Sequence, residues 1–189
     1  ALTQLRKDRL FLKIKEPANI PSVFHEIRET IGPIRIQTKI DAIGKTLEVI
    51  AQVIDMKHTY TSGHSFRVAR YAMAIGSAMN LDHDQITLIK WAGLIHDIGK
   101  YGVQQRILNK PESLTPKEFR EIKKHAQITR QVMEMIPSLK NVAPIASDHH
   151  ECFDGSGYPL GLKGEKIPLG ARILVVCDAF DAMTSNRPY

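Results

Sequence analysis

The stretch GLIHDIGK, residues 93–100, is the part of this sequence on which its fold and chemistry depend. It sets a histidine beside an aspartate, His96 and Asp97, between apolar residues and a glycine–lysine pair. Imidazole and carboxylate groups are both good ligands for divalent metals, and the two oxygens of Asp97 allow it to bridge two ions. A lone His-Asp pair is more often a buried hydrogen bond at a helix end. A metal site is therefore indicated only if the rest of the chain supplies further ligands.

Length and composition are those of a soluble globular protein. The 189 residues are 43% hydrophobic and 24% charged. This length is enough for one domain with an appendage or for two small domains. No apolar run in the sequence reaches the roughly 18 residues of a membrane span, and no signal peptide is recognisable. The net charge of +6 is compatible with an anionic partner. Cys152 and Cys177 follow no metal-knuckle spacing and indicate reduced thiols in a cytoplasmic protein.

The first 57 residues carry no chemical motif. Residues 1–36 include a short alternating segment at 10–15, which predicts a strand, and we interpret them as the remnant of an upstream sensor or regulatory domain. Residues 37–57 carry apolar side chains at three- and four-residue steps, at Ile40, Ile43, Leu47, Ile50 and Ile54. This seam is typical either of a helix that packs on its own domain or of a linker helix that forms a homodimer.

From residue 58 onward the apolar periodicity predicts consecutive helices. The strongest helix start is the capping box at residues 115–118, with proline at the first helical position. The apolar segment 167–183 has a strand-like core at 173–176, but the helical context favours a helix. Seven polar residues fall on the inward faces or ends of these helices: His64, His96, Asp97, His125, His149, His150 and Asp178.

These inward polar residues together predict a metal site. Burying carboxylates is costly without a cation, and a core would have to satisfy all seven groups by hydrogen bonds. One catalytic metal usually takes three protein ligands and an open position, so seven ligands with one bridging carboxylate suit two ions. Two metals about 3.5–4 Å apart can activate water and stabilise both oxygens of a phosphoryl displacement.

Several ordered motifs resemble the signature of HD-GYP domains, the bacterial cyclic di-GMP phosphodiesterase branch of the HD superfamily. They are LIHDIGK at 94–100, ILNKP at 107–111, HHE at 149–151, DGSGYP at 154–159 and NRPY at 186–189. The resemblance implies an all-α fold, an HD-domain helical bundle around a two-metal site, over residues 58–189. Family domains continue for some tens of residues after the Arg-Pro-Tyr stretch, so it also implies that the C-terminal part of the domain lies beyond Tyr189.

The resemblance also implies the metal ligands. One ion is expected among His64, His96, Asp97 and Asp178. The second is expected among His125, His149, His150 and the shared Asp97. The metals implied are two divalent ions, iron first and manganese as the alternative. A third metal would need a glutamate at the position of Tyr60, so two are expected.

The activity implied is hydrolysis of cyclic di-GMP to pGpG, and to GMP if a second cut follows, by a hydroxide that bridges the metals. Asp97 and Lys100 are the expected catalytic residues. The expected substrate contacts are Lys100, Gly157, Tyr158 and Arg187. Glu151 is expected to support a metal-bound histidine, and Asp154 to organise the glycine-rich loop.

The partner implied is cyclic di-GMP and not DNA. Two alternatives remain open at the level of sequence. One is an HD phosphohydrolase that acts on another nucleotide, such as a different cyclic dinucleotide. The other is a signal-binding or protein-interaction module that retains the fold without efficient catalysis.

Overall fold

The computed structural model describes residues 39–57 and 63–185. These ranges contain α-helices and short 3-10 turns and no strand, so the predicted all-α fold is confirmed. The predicted strand at 10–15 lies outside the described residues. The α-helices are α1 (Lys39–Lys57), α2 (His64–Ala78), α3 (His83–Ile95), α4 (Gln105–Leu108), α5 (Pro116–Glu134), α6 (Ala143–Ser147) and α7 (Leu169–Thr184).

The chain divides into two compact units, residues 1–41 and 42–189, and the second contains the whole candidate site. Its core is formed where α2, α3, α6 and α7 meet, with side chains such as Val68, Leu94 and Leu174 at most 1% exposed. None of the helices in the described ranges combines the length and the apolar character needed to cross a membrane.

Two helices begin at capping boxes. At the start of α5, the Thr115 hydroxyl accepts a hydrogen bond from the Glu118 N–H at 3.3 Å, and the Glu118 carboxylate accepts from the Thr115 N–H at 2.8 Å. At the start of α3, Asp82 and Gln85 form the same reciprocal pair. Each box satisfies backbone donors that the first helical turn leaves unpaired.

The start of α2 is capped from another helix. Gly63 precedes it in a left-handed conformation and has no side chain to offer. The buried carboxylate of Asp55, on α1, accepts hydrogen bonds from the Ser65 N–H and from the Ser65 hydroxyl at 3.2 and 2.7 Å. This contact fixes the first turn of α2, and with it His64, against the end of α1.

Part of the apolar seam of α1 packs on its own domain, whereas Ile40 at the start of the helix is 57% exposed. Leu47, Ala51 and Ile54 are at most 3% exposed within the common core. Polar contacts add to this packing: Lys90 pairs with Glu48 at 3.0 Å. A homodimer through this helix stays a prediction.

The structure refines the local predictions for segment 173–176 and for His149 and His150. The strand-like segment 173–176 is helical within α7, with Ile173 and Leu174 buried. α6 ends at Ser147, so His149 and His150 lie in the turn that follows it and not on a continued helical face. A turn can aim two adjacent side chains into one site, whereas a helix would place them about 100° apart.

The close approach of α5 to the turn after α3 depends on Gly99. A Cβ added at this position would overlap the carbonyl oxygen of His125 and approach the Thr129 backbone nitrogen to 2.8 Å. Thr129 is fully buried and joins the same two segments, since its hydroxyl donates to the His96 carbonyl at 3.1 Å and accepts from the Gly99 N–H at 3.0 Å. Together these contacts bring His125 to the His-Asp turn.

We expect Gly99→Ala to lower the free energy of unfolding by about 3 kcal/mol, because the added methyl group meets backbone that cannot move aside without displacing α5. Urea unfolding followed by circular dichroism measures this. Gly76→Ala is the matched control, since its Cβ would come no closer than 3.4 Å to a flexible isoleucine side chain. Equal stabilities of the two variants would contradict the close approach.

Candidate metal centre

Two clusters of side chains that can ligate metal lie side by side in the core. One contains His64, His96 and Asp178, and the other contains Asp97, His125, His149 and His150. Within each cluster the ligand atoms lie within 4.8 Å of one another. All seven residues that the sequence singled out are thus brought together, contributed by α2, α5, α7 and two helix-end turns.

Three of the histidines have their tautomer set by the backbone. The Nδ1 atoms of His96, His125 and His149 lie 2.8, 2.6 and 2.6 Å from the carbonyl oxygens of the residues three positions earlier. A carbonyl only accepts hydrogen bonds, so each Nδ1 must carry the proton and donate it. The Nε2 atom of each neutral ring is therefore unprotonated, which is the form that binds a metal.

His64 is oriented in the same way by a carboxylate. Its Nδ1 donates to Asp181 Oδ2 at 2.8 Å, and Arg67 donates to both oxygens of Asp181 at 2.6 and 3.0 Å. Burial alone would raise the pKa of Asp181, but the hydrogen bonds from Arg67 and His64 lower it to about 2. The Nε2 atom of His64 faces Asp178, with 3.4 Å between Nε2 and Oδ1.

Asp97 stands between the two clusters. Its Oδ2 lies 3.4 Å from His96 Nε2 and its Oδ1 lies 3.7 Å from His125 Nε2, so each oxygen faces a different cluster. Lys100 donates to Oδ2 at 2.6 Å. Burial opposes ionisation, but Lys100 and the surrounding imidazoles outweigh it and hold the pKa of Asp97 well below its usual range. An ionised carboxylate in this position can bridge two cations.

The fit to metal is tested by the atoms that have no partner. Among the described residues, the Nε2 atoms of His96, His125 and His149 and the Oδ1 atom of Asp97 are buried acceptors without a hydrogen bond. Leaving a polar atom unsatisfied costs on the order of 1–3 kcal/mol. Four such atoms converging on one place are explained by cations that accept their lone pairs, so the residues present fit a two-metal site.

Lowered pKa values keep the imidazoles of His125, His149 and His150 neutral. Burial lowers the pKa of His125 and lowers that of His149 well below its usual value. Burial and the neighbouring His125 lower the pKa of His150 to about 3. All three rings are thus neutral near pH 7, as a metal ligand must be.

The turn that carries His149 and His150 is anchored by an ion pair that the sequence did not reveal. Arg130 on α5 donates to both oxygens of the buried Asp148, at 3.0 and 2.9 Å. The hydroxyl of Ser147 also donates to Asp148, at 2.6 Å. Arg130 Nη2 donates to both oxygens of Asp148 while its Nε donates to Ser147 Oγ at 3.1 Å, so the turn with the two histidines is held against α5.

Glu151 has a different role from the one expected. Its carboxylate accepts hydrogen bonds from the N–H groups of Leu160, Gly161 and Leu162, at 2.6, 3.1 and 2.8 Å, and no hydrogen bond joins it to a histidine within the described residues. A buried carboxylate needs several hydrogen-bond donors. The loop supplies three backbone N–H groups, whereas one imidazole would supply a single N–H. Glu151 therefore folds the glycine-rich loop back onto the histidine turn.

The loop places one of the expected substrate-contact residues beside the centre. Tyr158 stacks on His150 with 4.7 Å between ring centroids and an angle of 25°, and burial raises the pKa of Tyr158.

Gly157 is needed for packing, because a Cβ there would come within 2.5 Å of the His150 carbonyl oxygen. Asp154 accepts from the N–H and hydroxyl of Ser156 at 2.9 and 2.7 Å, and its role in organising the loop stays a prediction. Arg187 and Tyr60 lie outside the described residues.

Sequence reasoning missed Asp181, Arg67, Thr129 and the Arg130–Asp148 pair. A signal existed for the first two, since Asp181 follows Asp178 by three residues and Arg67 follows His64 by three, so each shares a helix face with a proposed ligand. Thr129 gives the same signal, since it follows His125 by four residues on one helix. For Asp148 the sequence offers none, because its partner Arg130 lies on another element.

Comparison with known proteins assigns the fold to a family. The family model described as HD domain matches residues 48–189. The chain belongs to the HD domain family. HD domains are a fold of metal-dependent hydrolases, in agreement with the two clusters.

Relatives of this HD domain carry the function that the motifs indicated. A 3'3'-cGAMP-specific phosphodiesterase of Vibrio cholerae is 43% identical over 139 residues, which is 73% of this chain and 30% of the relative. A cyclic di-GMP phosphodiesterase of Thermotoga maritima is 40% identical over 151 residues, 79% of this chain and 41% of the relative. The predicted relationship to this group of phosphodiesterases is confirmed. The chain spans less than half the length of either relative.

A solved structure supports the same fold. An HDG"Y"P protein from Bdellovibrio bacteriovorus superposes with a TM-score of 0.57 and 24% identity, covering 77% of this chain and 51% of the other. At that identity the likeness shows the fold alone, and it agrees with the predicted HD-type helical bundle.

We expect Asp97→Asn to lower the metal content from about two ions per chain to less than one, because a single carboxylate facing both clusters serves both ions. Helical content should change little, since the amide has the same shape as the carboxylate. Elemental analysis of the purified protein and far-ultraviolet circular dichroism measure the two effects. Asp84→Asn, a change at an exposed carboxylate on α3, is the control and should keep both ions. Retention of both by Asp97→Asn would contradict the bridging position.

We expect the metal-free protein to lose stability as the pH falls below about 6.5. His125, His149 and His150 have lowered pKa values when folded, so the unfolded chain binds more protons in this range and acid favours unfolding. Each such histidine contributes on the order of 1.4 kcal/mol per pH unit. Urea unfolding at pH 7, 6 and 5 measures the slope.

Two variants make this pH test specific. His150→Asn removes one of the buried groups and should make the slope shallower, whereas a change at the exposed His83 should leave it as it is. Asp97 contributes only below about pH 4, where its unfolded form takes up a proton, so it does not affect this window. An unchanged slope in His150→Asn would show that His150 titrates alike in both states.

Proposed function

We propose that this chain is a metal-dependent phosphodiesterase that hydrolyses cyclic di-GMP to pGpG, with GMP as the product of a second cut. The proposal rests above all on one observation, the carboxylate of Asp97 between two clusters of imidazoles, in which the buried Nε2 atoms of His96, His125 and His149 have no hydrogen-bond partner among the described residues. That arrangement suits two adjacent cations, and phosphodiester hydrolysis is the chemistry that adjacent cations accelerate. The names of the relatives point to cyclic dinucleotides as substrates of those proteins.

The proposed ligands follow the two clusters. His64, His96 and Asp178 would hold one ion, and His125, His149 and His150 would hold the other, with Asp97 shared. Imidazole-rich sites with few carboxylates suit iron, and manganese is the alternative. When bound, the ions would neutralise charge on the phosphoryl oxygens and make water a nucleophile near neutral pH.

The chain's own residues would orient and balance this site. The Nδ1–H donors fix the direction of each imidazole, so little reorganisation is needed when substrate arrives. Lys100 places a positive charge beside Asp97 at the edge of the clusters, where it would contact a phosphate oxygen or the leaving oxygen. Tyr158, stacked on His150, would border the bound nucleotide. The role of Arg187 as a phosphate ligand is proposed from its motif alone.

We also propose the domain organisation that the sequence suggested. Residues 58–189 would be the HD-GYP domain, 37–57 a linker or dimerisation helix, and 1–36 the remnant of an upstream sensor or regulatory domain. The free thiols of Cys152 and Cys177 support a reducing, cytoplasmic location.

A second candidate substrate is 3'3'-cGAMP. The relative specific for that nucleotide is 43% identical to this chain, against 40% for the cyclic di-GMP enzyme. The two nucleotides share the same sugar–phosphate ring and differ in one base, so the same metal centre would serve either.

The test is to load the protein with Fe²⁺ or with Mn²⁺ under anaerobic conditions and follow both nucleotides by chromatography. We expect cyclic di-GMP to disappear with formation of pGpG. His149→Gln should lower kcat by at least about a hundredfold, since it removes an inward ligand. Exposed His83→Gln is the control. Turnover of 3'3'-cGAMP alone would select the second candidate. Binding of either nucleotide without hydrolysis by the metal-loaded protein would favour a signal-binding module.

A further inference from the structure

One cation near the metal centre is held in place without being neutralised. The ammonium group of Lys123, on α5, lies 4.8 Å from the ring centroid of Phe119 and 4.9 Å from that of Tyr158. A cation above two aromatic faces is attracted by their quadrupoles. Such contacts restrict its position and leave its net charge available to another group.

The neighbouring lysines differ in this respect. Lys124 pairs with Glu121 at 2.7 Å and Lys110 pairs with Glu118 at 2.8 Å. For Lys123, no described carboxylate lies within ion-pair distance. Of these three lysines around the first turns of α5, Lys123 therefore has the charge that an incoming anion can use.

Tyr158 connects this lysine to the metal centre. Its ring stacks on His150, meets the edge of His125 at 6.3 Å between centroids, and lies under the Lys123 ammonium. Phe119 completes the arrangement, edge-on to Tyr158 at 6.5 Å and 45% exposed. Lys123 is thus one aromatic ring away from His150.

We propose that Lys123 binds the phosphate of a cyclic dinucleotide that is not being cleaved, while Phe119 and Tyr158 hold its ammonium in position. This rests on the proposed function, since it assumes that the scissile phosphate lies at the two clusters. A cyclic dinucleotide has two phosphates on opposite sides of one ring. A site that holds one of them at the metals needs a separate cation for the other, and a second cation selects such substrates over diesters with a single phosphate.

The experiment compares a substrate with two phosphates and one with a single phosphate in the metal-loaded protein. We expect Lys123→Gln to raise KM for cyclic di-GMP about tenfold, the effect of losing one charged hydrogen bond, with kcat within about twofold. Turnover of bis(p-nitrophenyl) phosphate, which reaches only the metal centre, should stay within about twofold. Lys123→Arg should restore KM, because it keeps the charge and the contact with the aromatic rings.

Control variants and a binding measurement keep the inference separate from the proposed function. Lys124→Gln removes an equal charge one residue away and should leave KM as it is. Calorimetry of the binding of a non-hydrolysable phosphorothioate analogue of cyclic di-GMP to the metal-loaded protein, which does not depend on turnover, should show the same tenfold loss with Lys123→Gln. If the protein hydrolyses no cyclic dinucleotide, the proposed function fails, and this affinity still tests Lys123.

Three results would overturn the role of Lys123. One is an unchanged KM and affinity in Lys123→Gln. Another is an equal loss in Lys124→Gln, which would indicate general electrostatic attraction. The third is an equal loss with bis(p-nitrophenyl) phosphate, which would indicate damage to the metal centre.

Discussion

The structure depends on how its inward histidines are hydrogen-bonded on their outer side. Where Nδ1–H donates to a carbonyl three residues earlier, as in His96, His125 and His149, the inner nitrogen has only a lone pair. Placing several bare lone pairs and one ionised carboxylate in a common core is unfavourable for a metal-free protein. Cations remove this cost. The same arrangement that makes the apo core less stable therefore gives the site its affinity, and folding and metal binding are thermodynamically linked.

The remaining polar contacts serve to hold these rings at fixed positions. Each segment that carries a proposed ligand is tied to a neighbouring element: α2 to α7 through Arg67 and Asp181, and the histidine turn to α5 through Arg130 and Asp148. The His-Asp turn is tied to α5 through Thr129. Because the ties join separate elements, a displacement of one helix is resisted by at least one other. A two-metal site needs such rigidity, since ligand positions must be held within about half an ångström.

Features set by the local sequence pattern could be predicted, whereas features that depend on contacts between distant segments could not. Helical periodicity is a local property, so it identified the inward faces, and the seven residues brought together were all found from spacing and motif. The capping box at Thr115 was readable for the same reason. Glu151 was wrongly expected to contact a histidine, because its choice between an imidazole and three loop N–H groups depends on where the loop folds. Asp148 has no pattern of its own, and its role appears only once Arg130 lies beside it.

The geometry also separates the question of which bond is cleaved from the question of which base is recognised. In the proposed function the metal ligands and Lys100 would surround a phosphate, and a phosphate in cyclic di-GMP has the same environment as one in 3'3'-cGAMP. The buried centre therefore cannot distinguish a guanine from an adenine, whatever its metal. Discrimination between the bases has to come from groups at the edge of the site that reach the exocyclic atoms of the base. A hydrogen bond that is made with one base and left unpaired with the other changes the affinity most. That separation explains how relatives named for two different nucleotides can both be about 40% identical to this chain.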